Sequence, residues 1–186
     1  MNENANDRLV WIDLEMTGLD PERDRILEIA CVITDGELSL LAKGPSLAIH
    51  QPEDVLAAMD AWCQEHHEHS GLLARVRAST ISLAKAEEEV LRFVQRWTEQ
   101  GQAPLAGNSV HVDRRFLARW MPRLEAWLHY RIIDVSTIKE LARRWYGIEP
   151  PAKRESHRAL EDILESIEEL RFYRRTIFRD RSEIAP

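Results

Sequence analysis

What the sequence is short of narrows the field first. No run of about 18 apolar residues occurs, the length a membrane-spanning helix needs. The opening stretch, Met1 to Arg8, is polar and lacks the apolar core of a secretory signal. Cysteine is scarce. Cys31 and Cys63 have no spacing suited to zinc or redox chemistry, and Cys31, inside the apolar run Ile29–Ile33, reads as a core residue. These features predict a cytoplasmic protein. Basic charge is also in deficit: Lys+Arg 25 against Asp+Glu 32 leaves −7, with a pI of about 5.5. That argues against a protein that coats long nucleic acid through a basic face, since such domains sit above about pI 9. A pocket for a short anionic substrate stays open. There is no internal repeat, low-complexity tract or dividing linker, and 186 residues suit one domain. We expect it over 9–178, between a polar N-terminal tail (1–8) and a C-terminal tail (179–186).

What is present is an ordinary globular composition, 44% hydrophobic and 31% charged. Charge is uneven along it. Glu53 to Ser70 holds five acids and no Lys or Arg, Arg114 to Arg144 holds eight bases against three acids, and the last sixteen residues hold five arginines. A basic middle in an acidic chain is compatible with an anion-binding cleft, although solvated helix faces give the same pattern.

Hydrophobic periodicity predicts the elements. Leu9 to Met16 alternates, with Val10, Ile12, Leu14 and Met16 on one face and Trp11, Asp13 and Glu15 on the other. Thr17 to Pro21 is a turn, Ile26 to Thr34 a second strand, Asp35-Gly36 a hairpin turn and Leu38 to Lys43 a third strand. Leu83, Ala86, Val90, Val94 and Trp97 recur at helical spacing, and Gln102 to Asn108 reads as a short strand. Phe116 to Met121 marks a helix interrupted near Pro122, and Ile132 to Val135 a brief strand. Thr137-x-x-Glu140 is a capping box opening a helix through Trp145, and Leu160 to Leu170 is the stripe of a last long helix. Strands first and alternation afterwards imply an α/β fold, a mixed sheet with helices packed on it.

Three sets of polar residues carry chemistry. Asp13 and Glu15, two apart on a strand, point to the same side and stand a few ångströms from each other. Such a pair repels unless a cation neutralises it. An exposed strand face would look the same, but this strand is apolar on its other side and reads as central. Asp113 follows Gly107-Asn108-Ser109 at a helix start, a usual place for oxygen ligands and equally for an acid that the helix dipole favours. His157 and Asp162 are five apart, about 140° out of line at roughly 100° per residue. They converge only if His157 precedes the helix that carries Asp162. Taken singly, Asp162 reads as a solvated acid and His157 as a helix-entry residue. Taken together, four carboxylates and a histidine suit two hard divalent cations and a general base for phosphoryl displacement.

The segments Trp11–Asp20, Gly107-Asn-Ser-x-x-x-Asp-Arg-Arg-Phe-Leu117, Asp134–Trp145 and Ser156–Ile163 resemble those of the oligoribonucleases, the small-RNA members of the DEDDh exonucleases. The likeness runs in order from Leu9 to Tyr173. It implies a ribonuclease-H-like (DnaQ-like exonuclease) fold with a mixed five-stranded sheet flanked by helices. It implies a homodimer that hydrolyses very short RNA, dinucleotides above all, from the 3′ end to 5′-mononucleotides, the final step of RNA degradation. Mg²⁺ or Mn²⁺ would be held by Asp13, Glu15, Asp113 and Asp162, with His157 as general base and Asp134 in support.

The resemblance also implies substrate contacts. Leu19 and Trp62 would flank the bases, an apolar wedge and a π face that accept any base. Ser109, Arg131 and Ser136, joined by Tyr130 of the opposite protomer, would close the 5′-phosphate end and so exclude longer chains. By residue type alone, Trp62 reads as core, and Tyr130 and Arg131 as surface residues before a strand. His66 is expected to border the site, with His67 and His69 on an exposed, polar helix end. A DEDDh exonuclease acting on longer DNA or RNA is the near rival, and a non-catalytic binding scaffold the distant one. The charge of −7 and the phosphate-end residues favour the first reading over the near rival. The crowded carboxylates count against a scaffold.

Overall fold

The computed structural model describes residues 7–151, 158–179 and 183. Three strands, β1 (Arg8–Met16), β2 (Ile26–Asp35) and β3 (Leu40–Ala48), form an antiparallel meander. Two more, β4 (Pro104–Gly107) and β5 (His129–Asp134), extend the other edge of β1 in parallel. The result is one mixed sheet of order β3-β2-β1-β4-β5, the expected α/β architecture, with β1 at its centre.

Alternation along β1 divides the molecule. Val10, Ile12 and Leu14 pack with Ala86, Val90 and Val94 of α4 (Leu83–Gln95) and with Phe116 and Leu117 of α5 (His111–Trp120). Leu124 of α6 (Pro122–Glu125) closes that layer. Trp11 lies on the other face with Val135 and Ala142 of α7 (Val135–Tyr146) and with Ile163, Ile167 and Tyr173 of α8 (Ala159–Thr176). Asp13 and Glu15 share the Trp11 side by the same alternation, which delivers them to α8. Trp11 is fully buried, and its indole N–H donates to Thr34 Oγ1 at 2.9 Å, so the ring anchors β1 to β2 without an orphaned donor. Cys31 is buried in the first layer.

A third cluster has no counterpart in the sequence reading. Leu27 of β2 packs with Leu56 of α1 (Glu53–Ala57), Cys63 of α2 (Ala61–His69), and Leu72, Leu73 and Val76 of α3 (Leu72–Ala78). These helices are too short to show a clear period.

Other boundaries differ from expectation for local reasons. The third strand starts at Leu40, not Leu38, because Leu38 takes φ 68° and its amide donates to the Asp35 carbonyl in the turn. The helix expected to open at Thr137 begins at Val135, since the Asp134 carboxylate accepts from Ser136 N and caps it directly. β4 stops at Gly107, and Ser109 beyond it has φ 51°. The break at Pro122 is present as the α5–α6 junction.

Glu87 of α4 is buried, and its Oε1 accepts from Arg123 N (2.7 Å) and Leu124 N (3.2 Å), supplying α6 with the cap its own sequence lacks. Glu87→Ala leaves both amides without that acceptor and is expected to cost about 1–3 kcal/mol in urea unfolding. Glu87→Gln, which retains the acceptor oxygen, should cost clearly less; equal losses would show that the cap is not the cause.

Candidate active site

The parallel strands end on one side of the sheet, where α/β folds place their ligands. Asp13 and Glu15 come from the end of β1 and Asp162 from the first turn of α8; one carboxylate oxygen of each lies within 4.8 Å of the others. Asp113, in the first turn of α5, is buried beside them. β4 pairs with β1 only at Val10 and Trp11, so the Leu14 amide farther along donates to Asp113 Oδ1 instead, at 3.0 Å. Three carboxylates are thus gathered in one cluster, with the fourth anchored to the backbone between two of them.

Crowding and burial act on these acids in the same direction. Asp13 is held well above the ordinary carboxylate range, first by burial and then by Asp113, Glu15, Asp162 and Glu28. Glu15 is pushed up to about 8 by burial and by the charges of Asp162, Glu28 and Asp113, with Arg75 opposing. Asp113 is raised to about 7, chiefly by burial, while the Leu14 amide pulls it down. An all-oxygen donor set that resists carrying its own charge fits a hard divalent cation. Asp13, Glu15 and Asp162 can hold such an ion.

A second network lies at the ends of β4 and β5. Asp134 Oδ1 accepts from Ser109 N (2.9 Å) and Ser136 N (3.0 Å), and Ser109 N also reaches Ser136 Oγ (2.9 Å). These bonds fasten Ser109 in its left-handed conformation, which a residue with a Cβ adopts only when its surroundings enforce it. Tyr130 and Arg131 lie exposed on β5, the guanidinium 5.3 Å from the Tyr130 ring. Among the described residues, no hydrogen bond joins them to Ser109 or Ser136. Arg114, next to Asp113, donates to the His129 carbonyl (2.8 Å) and the Tyr130 carbonyl (3.1 Å), tying α5 to the start of β5.

On the opposite flank, Leu19 is 71% and Trp62 69% exposed, so Trp62 does not belong to the core. Leu19 follows a turn clamped by Asp24, which accepts from Thr17 Oγ1 and Asp20 N. A Cβ at Gly18 would stand 2.5 Å from Asp24 Oδ2, so a side chain there would push the Asp24 carboxylate from its bonds. His66 stacks on Trp62, ring centroids 4.8 Å apart and 12° from parallel. His67 is not the exposed helix-end residue expected. It is buried, its Nε2 donates to the Met16 carbonyl at 2.8 Å, and its Nδ1 lies 3.9 Å from Glu15 Oε2. His157 lies outside the described residues.

The RNase_T exonuclease family model matches residues 10–170. The human "Oligoribonuclease, mitochondrial" is 57% identical over 180 residues, 95% of this chain and 76% of its own length. The oligoribonuclease of Dichelobacter nodosus is 56% identical over 175 residues, covering 94% and 97% of the two chains. The chain belongs to the oligoribonuclease family. It is accordingly a 3′→5′ exoribonuclease. Among solved structures, exonuclease I from Methylocaldum szegediense aligns with TM-score 0.68 at 21% identity over 91% of this chain. E. coli exonuclease I in complex with a dT13 oligonucleotide aligns with TM-score 0.67 at 16% identity over 90%. This chain spans about two fifths of those proteins (41% of each), and the likeness is one of fold.

For this member of the oligoribonuclease family, the structure adds supports that residue patterns did not flag. Glu28 pairs opposite Glu15 in the β1–β2 register, is 1% exposed, and receives a bidentate contact from Arg75 of α3 (2.5 and 3.1 Å). Glu28 is the lone acid in the apolar run Ile26–Ile33, a signal legible beforehand. His67 carried no such mark among its neighbouring histidines.

The raised acids set a pH dependence. With Glu15 near 8 in the folded chain against an ordinary 4.5, the folded state keeps a proton that the unfolded state releases, so stability falls as pH rises through that window. In chelator, the melting temperature should drop between about pH 5 and pH 8. Added Mg²⁺ should raise it most at the upper end, where the cation replaces the proton. A melting temperature that stays level over this range, with or without Mg²⁺, would contradict the assignment.

Proposed function

We propose that the protein completes RNA decay, acting on the shortest oligonucleotides, dinucleotides above all. The observation that carries this reading is the placement of the Asp13–Glu15–Asp162 cluster beside the closed Ser109–Asp134–Ser136 network. In this reading the cluster takes the scissile phosphate and the network stops the 5′ end a short length away. A single unit over 9–178 does this in the cytoplasm, as a homodimer in which Tyr130 reaches the partner's site. The 73% exposure of Tyr130 supports that last assignment.

In this mechanism Asp13, Glu15, Asp113 and Asp162 hold two divalent cations, Mg²⁺ or Mn²⁺. When bound, the pair neutralises charge on the phosphoryl oxygens and favours an ionised water. His157 accepts the proton of the attacking water. Attack on phosphorus breaks the bond to the 3′ oxygen of the upstream nucleotide, and the released nucleotide keeps its 5′ phosphate. Leu19 and Trp62 hold the bases, with His66 backing the indole. Both surfaces are indifferent to base identity. Arg131 meets the 5′-phosphate through its guanidinium fork, and Ser109 and Ser136 bound it at the start of α7. Asp134 fixes both serines through their amides and holds no metal.

The test is hydrolysis of 5′-labelled RNA of two to about ten nucleotides with Mg²⁺, Mn²⁺ or chelator. Dinucleotide should turn over fastest, and chelator should abolish the reaction. Folded Asp13→Ala and His157→Ala should each lose about 10²-fold or more, a typical contribution for a proton-transfer group or a metal site. Equal rates at all lengths would remove the stop, and metal-independent turnover would remove the mechanism. Tyr130→Ala is expected to weaken dinucleotide cleavage. A fully active, strictly monomeric enzyme would rule out the cross-subunit role.

A further inference from the structure

Asn108 stands just past β4, between two parts of the site that the chain keeps far apart. Its amide nitrogen donates to Ser166 Oγ (2.8 Å) and Glu169 Oε2 (3.1 Å), both on α8. Its carbonyl oxygen accepts from Ser136 Oγ at 3.0 Å. The orientation of the amide is settled by chemistry, because a carboxylate such as Glu169 only accepts. With the Ser136 proton directed at Asn108, Ser136 Oγ is left to accept from the Ser109 amide (2.9 Å). The 3.1 Å contact between the two hydroxyls then uses the Ser109 proton. A one-way chain therefore runs from Ser109 through Ser136 and Asn108 into α8.

The far end of this chain is firm. Glu169 is wholly buried, with Lys139 Nζ at 3.6 Å and the Tyr173 hydroxyl at 3.4 Å. The Ser166 hydroxyl donates to the Asp162 backbone carbonyl (2.8 Å), one turn back on the same helix. Asp162 belongs to the carboxylate cluster. A stop discriminates by length only if its distance from the reacting phosphate is fixed, since a shift of about 1 Å in a positioned group costs reaction rate steeply.

We propose that Asn108 is a positioning residue for substrate length, its amide holding the Ser109–Ser136 stop at a set distance from the helix that carries Asp162. The inference rests on the reading of Ser109, Arg131 and Ser136 as the closed phosphate end. The hydrogen bonds of Asn108 run to Ser136, Ser166 and Glu169. Its loss should change which lengths are preferred before it changes the chemical step.

The experiment measures kcat and KM on 5′-phosphorylated RNA of two, three, five and seven nucleotides, for variants shown to be folded by circular dichroism. Asn108→Ala and Asn108→Asp should raise the dinucleotide KM about tenfold, the worth of one hydrogen bond. The seven-nucleotide kcat should stay within about twofold, so the length preference collapses. Binding should follow, with a 5′-phosphorylated dinucleotide losing its advantage over the 5′-hydroxyl form. The double variant Asn108→Asp with Glu169→Gln exchanges donor for acceptor across the same gap and should restore the preference. Arg131→Ala serves as the control on the stop itself. If Arg131→Ala loses the preference while Asn108→Ala keeps it, the role of Asn108 is overturned and the stop stands. If the unsubstituted protein shows no preference, the stop itself is overturned. Failure of the double variant to regain what Asn108→Asp loses overturns the hydrogen-bond link.

Discussion

The constraint on which the site depends is like-charge repulsion. Asp13, Glu15 and Asp162 are brought within 4.8 Å of each other at the end of the central strand, with Asp113 beside them. Nothing in ordinary folding favours this arrangement, and the fold meets it with structure. β1 runs beyond its partner β4, so a free amide is available to hold Asp113. Arg75 neutralises Glu28 directly across from Glu15, which keeps a fifth negative charge from adding to the cluster at full strength. A buried pair of this kind adds little net stability, yet removing one partner would leave the other charge uncompensated. The pair is best understood as a condition for the cluster to exist.

The second network is built from other residues than the carboxylate cluster. Asp134 caps α7 and at the same time grips Ser109 in a conformation it would not adopt alone. One carboxylate thereby sets the entry of a helix and the conformation of a neighbouring loop residue. Trp62, on the opposite flank, is held by His66, whose edge meets His67, whose ring in turn is bonded to the end of β1. The Trp62–His66 stack and the Ser109–Asp134–Ser136 network thus flank the carboxylates from two sides, through different elements.

Much of this was readable in the residues. Alternation in Leu9–Met16 placed Asp13 and Glu15 on one face of a central strand, and the Asp134–Trp145 segment marked a helix. The helix start was misplaced at Thr137 because a capping box is a local pattern, whereas the real cap is a strand residue fixed by its tertiary position. His67 was lost among neighbouring histidines, since only tertiary packing distinguishes the one that faces the Met16 carbonyl. α1 to α3 escaped notice because elements of five to nine residues offer too few turns for a period. The family resemblance supplied Trp62, which residue type alone would have assigned to the core.

The small cluster beneath α1–α3 has a consequence for how the molecule breathes. Its buried apolar residues belong to neither layer around β1, and it meets the sheet through Leu27, through Arg75 on Glu28 and through His67 on the Met16 carbonyl. Local opening in proteins follows such units, and a small one opens at lower cost than the sheet. Trp62 stands on this smaller unit, and Asp13 and Glu15 on the central strand. Hydrogen exchange would register this as two tiers of amide protection. The charged floor of the site thus lies outside the unit that opens at lower cost.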